Sequence, residues 1–62
     1  METELKVILA RRDDMNQKIL AERVGLTTAA INKIVNGNDP KLSTALKIAK
    51  ELDMNVHDIW KL

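Results

Sequence analysis

Sixty-two residues make one small domain, and a chain this short buries only ~60% of the surface its unfolded form exposes. There is no cysteine and one histidine, which excludes disulfides, thiolate zinc sites and histidine clusters and suits a reducing cytoplasm. Ten Lys and Arg against nine Asp and Glu leave a net charge of +1, well short of a strongly basic balance. No apolar run approaches the ~18 residues of a membrane span. The opening METELK is too acidic and too poor in apolar length for a signal peptide, so the expected location is the cytoplasm.

In chain order, Thr3 can cap a first helix from about Glu4 to Arg12, with Leu5, Ile8 and Leu9 as its inner stripe. Glu4 near its start and Arg11 and Arg12 at its end suit the helix dipole. Asp13-Asp14 ends it. Asn16 is the expected cap of the next helix, Gln17–Val24, with Met15 and Leu20 as a hydrophobic staple. Gly25 can take positive φ, so that helix stops and the chain turns sharply. Thr27 then caps a third helix, Thr28–Asn36, with Leu26 and Ile31 as staple and Ala30, Ile31, Ile34 and Val35 on one side. Small Ala21 lets a second backbone cross closely. Two short helices joined in this way have the sequence form of a helix-turn-helix, spanning residues 17–36.

Asn36-Gly37 closes the third helix, and Asn38-Asp39-Pro40 forms a loop. A fourth helix is predicted over Leu42–Leu52. Leu42, Ala45, Leu46, Ala49 and Leu52 form its apolar face, which Ile48 widens. Asn55 is the expected cap of a last short helix reaching Trp60, with Asp58 as a capping-box partner and Met54 and Ile59 as staple. Almost no room is left for strands. The expectation is a single all-α, compact five-helix domain over residues 1–62.

Gln17, Ala21, Gly25, Ile31, Ile34 and Asn36-Gly37 resemble the signature of the Cro/C1-type (Xre) helix-turn-helix repressors, whose fold is lambda-repressor-like. The stretch PKLSTALKIAKELDMNVHDIW is similar to the family's fourth and fifth helices, so the resemblance runs from about Leu5 to Trp60. It departs from the family at Asp53, where relatives often carry glycine, and in the first loop, which is one residue longer than in many. In this family the second helix of the motif enters the major groove, and the first crosses the backbone. The resemblance therefore implies double-stranded DNA as partner, with Thr28, Ala29, Asn32 and Lys33 reading bases.

The chemistry of those residues agrees. Asn can pair with adenine N6/N7, Lys can reach guanine O6/N7, and Ala and the Thr methyl can pack on a thymine methyl. Two alanines at the groove entrance point to modest specificity, aided by water and DNA shape. Gln17, Thr27, Asn36, Asn38 and Lys41 match backbone-touching positions. Gln17 stands where helix amides can hold a phosphate. Asn36 reads equally well as a plain turn residue. Lys33, Lys41, Lys47 and Lys50 face only Asp39 as counter-charge between residues 32 and 50.

Trp60, the sole aromatic, reads as a core cover or as a dimer anchor. With Val56, Ile59 and Leu62 it makes the last helix the candidate self-association surface of a homodimer. No cofactor, metal or small-molecule ligand is implied. His57 and Asp13-Asp14 read as surface residues, and no nucleophile, base and pocket converge, so an enzyme is not expected. The function implied is that of a dimeric transcriptional repressor on a palindromic operator, acting at the nucleoid. The alternative is a protein-interaction module, since some relatives are antitoxins or controller proteins.

Overall fold

The computed structural model describes all residues from Met1 to Leu62. Five helices follow one another: α1 Leu5–Arg11, α2 Gln17–Val24, α3 Thr28–Val35, α4 Leu42–Leu52 and α5 Val56–Ile59. Two strands, β1 Glu2–Thr3 and β2 Trp60–Lys61, pair antiparallel, with Glu2 opposite Lys61 and Thr3 opposite Trp60. Glu4 N–H donates to the Ile59 carbonyl at 2.7 Å and continues the ladder. The domain is therefore mostly helical rather than wholly so. Trp60 lies on a strand, not in the last helix. Two-residue strands are too short to print an alternating pattern on the sequence.

The starts of α2 and α3 follow from their caps. Asn16 Oδ1 accepts from Ile19 N–H at 2.9 Å, and Thr27 Oγ1 accepts from Ala30 N–H at 3.1 Å. Each satisfies an amide that has no partner within its helix. The first helix starts one residue later than expected. Thr3 Oγ1 still accepts from Leu5 N–H, at 3.2 Å, while Glu4 at the cap position makes no side-chain bond. Asn55 makes no side-chain cap either, so the expected capping box does not form. The single turn of α5 is closed by Asp58 N–H donating to the Asn55 carbonyl at 3.0 Å.

Three helix ends use one device. Past each end a residue has positive φ: Gly25 at 76°, Gly37 at 114° and Asp53 at 55°. In each case the next residue's N–H reaches back to a carbonyl five residues earlier: Leu26 to Ala21, Asn38 to Lys33, and Met54 to Ala49. These are Schellman closures, and they turn the chain while consuming carbonyls that the helix leaves free. At Gly25 a Cβ would meet nothing within 4 Å, so glycine is required there by conformation and not by space.

Fifteen buried side chains, all apolar, form one core. Leu5, Leu20, Ile31, Ile48, Leu52 and Ile59 are completely enclosed. Each such side chain contributes about 1.5–3 kcal/mol of burial. On α4 the buried stripe is Ala45, Ile48, Ala49 and Leu52, whereas Leu42 is 73% exposed and Leu46 52% exposed. The expected face is thus rotated toward Ile48. Trp60 is 6% exposed and closes the core beside Ile59, with its indole Nε1 lacking an acceptor. No helix is long and apolar enough to cross a membrane.

Arg12, expected within the end of the first helix, lies just past it and serves another helix. Its backbone is extended, and its guanidinium Nη2 donates to the main-chain carbonyl of Leu52. Nη1 lies 4.0 Å from Asp14 Oδ2. A cation thus sits at the C-terminus of α4, where the helix dipole is negative.

Candidate nucleic-acid interface

Thr28, Ala29, Asn32 and Lys33 all lie exposed along the outer side of α3. Their spacing places them on one helical face, opposite the buried Ile31, Ile34 and Val35. The face is available because the apolar half of α3 is sealed against α2, where Ala21 is buried at the crossing.

Gln17 occupies the first position of α2, directly after the Asn16 cap. Its Oε1 accepts from Asn32 Nδ2 at 3.2 Å, which ties the start of α2 to the middle of α3. Asn36 Nδ2 donates to the Asn32 main-chain carbonyl at 3.0 Å and to Asn32 Oδ1 at 3.1 Å. Gln17, Asn32 and Asn36 therefore form one continuous amide chain across the outer surface. Asn32 and Asn36 stand one helical turn apart, a spacing at which side-chain amides meet, so that link was readable in the sequence. The bond between Gln17 and Asn32 joins two helices and left no local signal.

Lys33, Asn38 and Lys41 line one shallow groove with Leu26, Pro40 and Thr44. None of Lys33, Lys41, Lys47 and Lys50 takes part in an ion pair. Thr27 is exposed at the head of α3 with its oxygen engaged as the cap, which leaves its hydroxyl hydrogen free to donate. Lys33 and Lys41 share a groove with Asp39, whereas Lys50 lines another with Asp53 and Asp58, in a domain whose net charge is only +1. The free N–H groups at the starts of α2 and α3 favour an anion at those two points despite the small total charge.

A family model of the Cro/C1-type helix-turn-helix DNA-binding domain matches residues 4–62. The chain belongs to the Cro/C1-type family. A comparison with curated proteins finds no match. Membership makes this a DNA-binding domain, with double-stranded DNA as its partner, and the Cro/C1-type family is not an enzyme family. In this Cro/C1-type domain the helix-turn-helix consists of α2, the turn at Gly25 and α3.

The proposed self-association residues divide in two. Val56 is half-buried and Leu62 exposed, whereas Ile59 is fully enclosed and Trp60 nearly so. Ile59 lies wholly behind that surface, whereas Trp60, though nearly enclosed, still reaches it. Pro40, Leu42, Ala45, Val56, Trp60 and Leu62 line an apolar groove at this end. Leu42, which its spacing places on the core stripe, is instead exposed and lines this groove.

Proposed function

We propose that the domain is a sequence-specific transcriptional repressor that binds a palindromic operator as a homodimer. The observation that carries this reading is the exposed outer face of α3, where Lys33 and nearby Lys41 have no carboxylate partner. Thr28, Ala29 and Lys33 meet base edges in the major groove, and Asn32 lies among them with its amide already hydrogen-bonded. Gln17, Thr27, Asn36, Asn38 and Lys41 flank this face, where they fix its register on the phosphates.

Size supports the dimer. The longest extent of the domain is 26 Å. Successive half-sites on one face of the duplex are ~34 Å apart. One domain therefore serves one half-site, and a second copy is needed for the other.

The test is a titration of DNA from upstream of the protein's own gene against shuffled DNA of equal composition, at two salt concentrations. The expected result is at least about a tenfold preference for the native DNA, with affinity falling steeply as salt rises through counterion release. Equal affinity for both duplexes would overturn sequence-specific repression.

A further inference from the structure

We propose that Asn36-Gly37 is a site of spontaneous deamidation, that the closure of α3 holds the reaction back, and that its product no longer binds DNA. This rests on the DNA-binding reading of the outer face of α3 and adds a way for that face to be switched off. The chemistry needs only this chain and water. The main-chain nitrogen of Gly37 attacks Cγ of Asn36 and forms a cyclic imide. The Cγ–Nδ2 bond breaks, the proton of the attacking nitrogen passes to the leaving amide, and ammonia departs. Water then opens the ring at either carbonyl, which leaves aspartate or isoaspartate. Nothing is oxidised or reduced. Asn36 is the one asparagine followed by glycine, the residue that hinders the attack least because it has no Cβ. Both residues are exposed, and the space beside Gly37 is open, with no atom within 4 Å of where a Cβ would stand.

The fold restrains the reaction at three points. The ring needs Cβ of Asn36 and the Gly37 nitrogen nearly eclipsed about the Cα–C bond, and the ψ of 10° at Asn36 holds them apart. The attacking nitrogen is engaged, its N–H donating to the Ile34 carbonyl at 3.1 Å. The leaving Nδ2 donates to the Asn32 carbonyl at 3.0 Å and to Asn32 Oδ1 at 3.1 Å. All of these bonds sit in the last exposed turn of one short helix, so they open together when that turn frays. The product cannot restore them. A carboxylate has no hydrogen to donate, and at Asn36 it faces two acceptor oxygens of Asn32. It also sets negative charge at the C-terminus of α3, against the helix dipole, on a surface that meets phosphates. Isoaspartate routes the main chain through Cβ, which breaks the register of the Gly37–Ile34 and Asn38–Lys33 closures. The loss of ammonia makes the change one-way.

The test follows tryptic peptide 34–41 by mass spectrometry after the full chain has stood at mildly alkaline pH, beside the same peptide free in solution. Exchange of NH2 for OH marks the product, and enzymatic methylation of isoaspartate marks the isomer. The free peptide is expected to react at least about tenfold faster than the folded chain, because the chain reacts only through local opening. Asn36→Asp should lower affinity about tenfold or more for duplexes that the wild-type protein recovers from a random-sequence pool. Asn36→Ala, which loses the amide without gaining charge, should keep more affinity than Asn36→Asp, and the gap between them should narrow as salt rises. The deamidated chain, separated by ion exchange, gives a second route if Asn36→Asp is poorly folded by circular dichroism. A folded chain that reacts as fast as the free peptide would overturn the restraint, and one that never reacts would overturn the site. A deamidated chain that binds as tightly as the wild type would overturn the switch. A wild-type protein that recovers no duplex would overturn the DNA-binding reading, while the mass measurement would still decide the modification.

Discussion

Asp53 is the one residue other than glycine with positive φ, and it closes α4 by the same backbone bonds that Gly25 and Gly37 use elsewhere. A side chain in the left-handed region costs about 1–2 kcal/mol, less for Asp than for most. The Asp53 carboxylate also stands at the C-terminus of α4, where the dipole is unfavourable to negative charge. Both terms point the same way. Asp53→Gly should stabilise the fold by about 0.5–1 kcal/mol, even after the greater freedom of glycine in the unfolded chain is counted. That corresponds to roughly 2–8 °C in Tm for a domain of this size. Asp53→Asn, which removes the charge and keeps the tolerance for this conformation, should gain a few tenths of a kcal/mol. Gly25→Ala is the converse case. Its Cβ would meet no atom within 4 Å, so its cost is conformational, about 1 kcal/mol. Thermal melts of the three variants separate these effects. A lower Tm for Asp53→Gly would mean that the carboxylate itself holds the corner.

At the level of the elements, the end of α4 depends on a residue distant in sequence. Arg12 reaches the Leu52 carbonyl from the loop after α1, and its side chain is 29% exposed. Arg12→Met keeps the apolar stem but loses the charged donor, and it should cost about 1–2 kcal/mol in urea unfolding with an unchanged m-value. Unchanged stability would show that solvent serves that carbonyl equally well. No local pattern reveals such a contact, and this sorts what was legible from what was not. The limits of α2 and α4 were readable, because caps, glycines and helical periodicity are local signals. The buried flank of α4 was not. Ala45, Ala49 and Leu52 belong equally to a stripe through Leu46 and to one through Ile48, and neighbouring elements decide between them. The strand pair joins opposite ends of the chain and has no periodicity to detect. In the candidate site, the placement of Gln17 and of the outer face of α3 followed from the motif. The engagement of Asn32 by Gln17 required the crossing of two helices in space.

For the whole molecule, the proposed dimer makes operator binding depend on the surface at the α4–α5 end. That surface is apolar without being core: Leu42 is 73% exposed and borders the groove with Pro40, Val56 and Leu62. In a two-fold interface each substitution acts twice, because both copies present the same patch. Burying Leu42 on both sides contributes at least ~1.5 kcal/mol each, so Leu42→Glu should weaken dimerisation by about 3 kcal/mol, on the order of a hundredfold. Leu42 is also the first residue of α4. A glutamate there complements the positive end of the helix, so the monomer should fold as well as before. Loss of stability therefore does not confound the result. Sedimentation across a range of concentrations should give a monomer for the variant where the wild type is dimeric. Operator binding should weaken in parallel, while the affinity of each domain for a single half-site stays unchanged. If Leu42→Glu dimerises as the wild type does, the two copies meet elsewhere. A monomeric wild type that still prefers its operator would remove the need for a dimer altogether, and specificity would then have to come from a single α3 and the shape of one half-site.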